Sequence, residues 1–213
     1  MIRSAHESRS ARGALLRALT LCAAAAPLAV GCQTQPRIVG ANVLVQPEGR
    51  LAAVNPTDIA VAPIEWLVPG SAQTELELRR AAVGFLPRKR YSPLRLENVD
   101  GALVGVEPAS YRAGTLREDA VLELIVHAWD TSLWSSRRSI NVDLEARFVD
   151  PAAPLGDALW SGRLSQRFDF STGANDSDAE GAGMAAACER VVAELLSRLP
   201  ARDVNPAPGG ALN

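Results

Sequence analysis

The stretch "SINVDLEARFVD", Ser139 to Asp150, alternates without a break. Ile140, Val142, Leu144, Ala146 and Phe148 are apolar, and Asn141, Asp143, Glu145 and Arg147 between them are polar. Successive side chains of a β-strand point to opposite faces, so a period of two specifies a strand with one buried face and one wet face. Upstream, "DAVLELIVHAWDTSLW" (119–134) predicts a long central strand whose apolar side carries Leu122, Leu124, Val126 and Ala128. On that phase His127 shares the opposite side with Val121, Glu123, Ile125 and Trp129. Downstream, "DALWSGRLSQRFDF" (157–170) alternates again through Trp160, Leu164, Phe168 and Phe170. The connections Ser135 to Arg138 and Pro151 to Asp157 are short and polar or rich in turn formers, which predicts an antiparallel meander of three strands.

Further out, "TDIAVAPI" (57–64) predicts a buried strand. "PGSAQTELELRRAAVGFL" (69–86) predicts a helix with a capping box at Thr74 and Glu77, an apolar stripe through Leu78, Ala82, Phe85 and Leu86, and a stop at Pro87. A strand over Ser92 to Leu96 and a short helix over Glu97 to Val104 follow. The last helix opens on a second capping box, Ser177 to Glu180, and aligns Met184, Cys188, Val191, Val192, Leu195, Leu196 and Leu199 before Pro200. The fold class expected is α/β: a single domain over residues 57–199 with a mixed sheet ending in the meander, and helices covering its apolar face. Residues 32–56 read as a tether with at most a weak strand at Asn42 to Val45. Residues 200–213 read as a disordered Pro/Gly-rich tail.

Residues 1–31 have the composition of a cleaved signal. Arg3, Arg9, Arg12 and Arg17 stand against one acid, Glu7, ahead of an apolar run from Ala18 to Val30. At about 1.5 Å per residue that run spans about 20 Å, short of the roughly 30 Å hydrocarbon core of a bilayer. Ala29-Val30-Gly31-Cys32 resembles the lipobox of bacterial lipoproteins, which implies cleavage before Cys32, diacylation of its thiol and attachment to a membrane. Gln33 in the next position leans toward the outer membrane by the same resemblance. Removal of the signal leaves 18 basic and 23 acidic residues, a net charge of −5, which does not favour nucleic acid. With Cys22 removed and Cys32 acylated, Cys188 has no partner and reads as an inert buried thiol.

"TDIAVAPI", the helix after it, "RYSPL", "EDAVLELIVHAWDTSLWSSRRSINVDLEARFVDP" and "DALWSGRL" together resemble bacterial envelope lipoproteins of the neisserial antigen type, related in fold to curli-secretion and penicillin-binding-protein-activator lipoproteins. The resemblance covers residues 57 to 199, and its most specific pieces are Asp119-Ala120-Val121-Leu122 and Leu159-Trp160. Arg90-Tyr91 stands where that family has Gly-Tyr. The resemblance implies a non-catalytic domain that binds other envelope proteins or assembles with copies of itself.

Chemistry-bearing residues are sparse. His127 is the only histidine after the signal, which excludes a multi-histidine metal site and leaves one candidate general base of that type. Glu123 is about 13 Å away along the strand, too far to orient it directly. "DSDAEG" spaces Asp176, Asp178 and Glu180 like calcium ligands, but the twelfth position is Ala187 where an EF-hand needs glutamate, so the stretch reads as a helix cap. No catalytic residue, metal or cofactor is expected. Trp134, with Arg137 and Arg138 at the hairpin end, is either an exposed anchor for a protein contact or a side chain folded back on its own hairpin. Two other functions stay open: an auxiliary or substrate-capturing lipoprotein of an envelope transport system, and a periplasmic enzyme.

Overall fold

The chain divides into residues 1–34 and 35–213. The computed structural model describes residues 43–45, 50–103, 114–154, 156–170 and 180–205, all in the second unit. The signal segment, Cys32 and the expected capping residue Ser177 therefore lie outside the described residues, as does Val104.

The strands are β1 (Val43–Val45), β2 (Asp58–Val61), β3 (Glu65–Trp66), β4 (Ser92–Pro93), β5 (Ala120–Asp130), β6 (Ser139–Val149) and β7 (Trp160–Asp169). The helices are α1 (Arg50–Val54), α2 (Ala72–Phe85), α3 (Leu96–Ala102), α4 (Trp134–Arg137) and α5 (Glu180–Leu196). All strands join one sheet in the order β1-β7-β6-β5-β2-β4, with β3 pairing the same edge of β5 beyond β2. β5, β6 and β7 are the antiparallel meander, while β2 runs parallel to β4 and β5. The domain is thus α/β with a mixed sheet, as the alternation and the strand-helix order predict.

The apolar phase of the meander forms the core. Leu122, Leu124 and Val126 of β5, Val142, Leu144 and Phe148 of β6, and Trp160 and Leu164 of β7 are at most 3 % exposed, beneath Leu78 and Ala82 of α2 and Val191, Val192 and Leu195 of α5. Burying each such side chain contributes about 1.5–3 kcal/mol, which is why these two helices dock. A second, smaller cluster lies on the other side of the sheet, where Val99 of α3 packs on Ala60 and Val121. α2 and α5 therefore pack on the apolar face of the meander, and α3 packs on the start of the other. Asp119 sets the parallel register: its carboxylate accepts from the backbone N–H groups of Thr57 and Asp58 at 2.9 and 3.1 Å, and its own N–H donates to the Asp58 carbonyl at 2.8 Å.

Several boundaries differ from expectation. The cap of α2 is Ser71, extended at φ −123°, whose hydroxyl accepts from the Thr74 N–H at 3.1 Å. Glu77 instead accepts from Gln73 and Arg80 within the helix. The expected strand over Ser92 to Leu96 shortens to Ser92–Pro93, since proline brings no N–H to a ladder, and α3 runs from Leu96 to Ala102. The expected tether carries the weak strand anticipated at Asn42 to Val45, as β1, which pairs β7 antiparallel at the sheet edge; beyond expectation, it continues into α1, whose Leu51 is 2 % exposed in the core. The expected tail is held at its start, where Arg202 N–H donates to the Lys89 carbonyl and Asn55 makes two hydrogen bonds with the backbone of Asp203.

Candidate functional site

The sheet face opposite α2 and α5 carries the polar phase of the meander, and the residues set there pair across strands. The closest contact is between Asp143 and Arg163, joined by two parallel hydrogen bonds of 2.7 and 2.8 Å. Arg163 holds the Asp143 carboxyl below the usual carboxylate range. Glu123 lies directly across from Arg147, with their charged groups 3.8 Å apart. Burial raises the Glu123 carboxyl; Arg147 opposes that shift and neighbouring Glu65 adds to it.

His127 occupies a bulge. The register of β5 against β6 slips between Val126, opposite Leu144, and Ala128, opposite Asp143. One extra residue in a strand reverses the phase of everything beyond it. Trp129 therefore lies across from Val142 and packs against the core, and Ala128 leaves the apolar side; both placements correct the uniform alternation expected for this strand. His127 bonds Glu145 through Nε2 at 3.0 Å, with both side chains about a quarter exposed. Glu145 orients the imidazole, and the pair lies where no described helix covers the sheet.

At the hairpin end the structure decides between the two places open to Trp134. The residue begins the single turn α4 and is 6 % exposed, edge-to-face with Phe170 at 5.7 Å. Arg138, left-handed at φ 48°, stacks its guanidinium 5.4 Å above the indole. Arg190 of α5 stacks in turn on Phe170 and Phe168, at 5.2 and 5.9 Å. The hairpin does not present an exposed aromatic anchor. Arg137 remains exposed, and Arg138 is half-buried over the ring.

Among the described residues no group of three or more His, Cys, Asp or Glu side chains is placed to hold a metal, and no helix is long and apolar enough to cross a membrane. Asp176 and Asp178 lie outside the described residues, and Glu180 begins α5. Cys188 is buried, and burial pushes its thiol up to about 12. The His127–Glu145 pair escapes a reading confined to one strand. The usable signal was that both residues belong to polar phases of adjacent antiparallel strands.

The chain matches no family model and no curated protein. Among solved structures it is similar to a PelC dodecamer from Paraburkholderia phytofirmans, with 14 % identity over 75 % of this chain and 98 % of that one and a TM-score of 0.48. It is also similar to lipoprotein GNA1162 from Neisseria meningitidis, with 22 % identity over 64 % and 98 % of the two chains and a TM-score of 0.46. A third is the hypothetical protein CT253 from Chlamydia trachomatis, with 14 % identity over 67 % and 95 % and a TM-score of 0.44.

Proposed function

We propose that the protein is a non-catalytic bacterial envelope lipoprotein of the neisserial antigen type. Acylated Cys32 anchors it to the outer membrane, facing the periplasm, and its α/β domain binds other envelope proteins or copies of itself. The observation that carries the binding role is the face of the meander that, beyond α3, no described helix covers. There Glu123 with Arg147, Asp143 with Arg163, and Glu145 with His127 form cross-strand pairs on three long strands, a polar array whose pattern a partner can match. The basic n-region, short apolar run and lipobox-like cysteine support the anchor. One acyl chain binds marginally, and two or three anchor durably at about 0.8 kcal/mol per buried CH₂. Eleven peptide links separate Cys32 from Val43, a reach of at most about 36–40 Å, so the anchor keeps the domain near the bilayer surface.

The anchor is tested by mass spectrometry of the membrane fraction and by Cys32→Ala, which should abolish acylation and membrane partitioning. The binding role is tested by cross-linking in intact cells followed by capture of the acylated protein. Reversal of the face charges in Arg147→Glu with Arg163→Glu should reduce the captured partner, whereas Arg198→Ala, exposed just beyond α5 on the other side of the domain, should leave capture intact. Loss of function with His127→Ala while capture stays intact, in folded and localised protein, would point to catalysis instead.

A further inference from the structure

Away from the sheet, α2 and α5 enclose a groove of about 340 Å³ between their outward sides. Its floor is apolar and low, made of Ala81, Gly84 and Phe85 from α2 and Ala186 and Ala193 from α5. Three arginines, Arg80, Arg88 and Arg190, also line it, against one acid, Glu189. Arg80 pairs with Glu77. Arg88 and Arg190 have no carboxylate partner among the described residues. Each rests on an aromatic ring, Arg88 on Phe85 at 5.7 Å and Arg190 on Phe168 and Phe170. Arg190 also donates to the Asp169 carbonyl at 3.2 Å. Neither an aromatic face nor a carbonyl neutralises a cation, so the charge of both arginines remains for an anion.

Gly84 is an independent observation on the same groove. Glycine inside a helix weakens it relative to alanine. Here the backbone is not left-handed, and a Cβ at Gly84 would meet nothing within 4 Å. Neither backbone conformation nor packing calls for glycine. A side chain at this position would extend into open space at the groove.

We infer that the groove between α2 and α5 binds an anionic amphiphile, with the alkyl chain on the Ala81–Gly84–Ala186–Ala193 floor and the phosphate or carboxylate head between Arg88 and Arg190. The volume lies in the range of small-molecule sites, which combine apolar lining with a few charged groups. This site goes beyond the proposed binding face, lying on the helical side of the domain and requiring neither the acyl anchor nor a protein partner.

The test is equilibrium dialysis of the full-length chain against octyl phosphate, with octyltrimethylammonium and inorganic phosphate as comparison probes. One octyl phosphate per chain is expected to bind, with the cationic amphiphile and the free anion at least about tenfold weaker. Gly84→Leu fills the groove from a position with open space around it and should reduce octyl phosphate binding about tenfold or more while circular dichroism stays unchanged. Arg88→Gln and Arg190→Gln should each weaken it about tenfold. Absence of octyl phosphate binding overturns the inference, as does equal binding of either comparison probe or unchanged affinity in folded Gly84→Leu. If Gly84→Leu does not fold, unchanged affinity in both arginine variants overturns it, and the expected loss in either supports it.

Discussion

The indole of Trp160 lies against Gly162, two residues along the same face of β7: a Cβ at Gly162 would stand 2.8 Å from Cη2 of the ring. Trp160 is 1 % exposed and edge-to-face with Phe148 at 6.1 Å, so the ring has little room to withdraw. Gly162→Ala should destabilise the domain by about 1–3 kcal/mol through overpacking. Gly84→Ala, in open space, should stabilise it by about 0.5–1 kcal/mol. Denaturant unfolding of the two variants side by side checks the opposite signs.

Leu144 and Asp143 are sequence neighbours on opposite faces. Leu144→Asp would place an unpaired charge at a position with no exposure and should unfold the domain. Asp143→Asn removes a bidentate pair whose Arg163 side chain is 41 % exposed, so solvent screening holds the loss to about 1 kcal/mol or less. Equal losses in thermal unfolding would contradict the observed orientation of β6.

Asp143 and Glu123 should act oppositely on the pH dependence of stability. The folded carboxyl of Asp143 is lowered, so its contribution is present above its unfolded pKa and is lost as pH falls through the folded value. Asp143→Asn should therefore flatten the acid limb of the stability profile. The folded carboxyl of Glu123 is raised, so stability is lost as pH rises from its unfolded toward its folded value. Glu123→Gln should remove that loss and be neutral or stabilising at pH 7, as read from unfolding midpoints between pH 3 and 8.

Cys188, buried on α5 with its thiol near 12, should resist alkylation in the native state. Its reaction with iodoacetamide at pH 8 should follow global unfolding across a denaturant series. Modification at native conditions, with circular dichroism unchanged, would contradict its burial.

Trp134→Ala should cost about 3–5 kcal/mol, since it empties a packed site between the hairpin and α5. Arg137→Ala, at an exposed position one turn along, should change stability by no more than about 0.5 kcal/mol. The pair separates packing at the hairpin from any contact it makes, because only Arg137 can be removed from a folded protein.

Local pattern determined a good deal of this molecule. The alternation from Ile140 to Phe148 already specifies β6 and its buried face, because burial acts on side chains two residues apart, and the short connections on either side make its two neighbours antiparallel. The stripe from Cys188 to Leu196 likewise specifies α5 and the side by which it docks, and Asp119 marks the opening of β5. Tertiary structure decided what depends on a partner. The bulge at His127 exists only relative to β6, so no reading of β5 alone places Trp129 in the core. Trp134 is buried because Phe170, Arg138 and α5 converge on it, and Asp203 is held because Asn55, 148 residues earlier, meets it. The groove between α2 and α5 arises where two distant helices approach, and its arginines are spread along the chain from Arg80 to Arg190. Periodicity reports which side chains leave water, whereas bulges, clasps and grooves follow from which distant segments they meet.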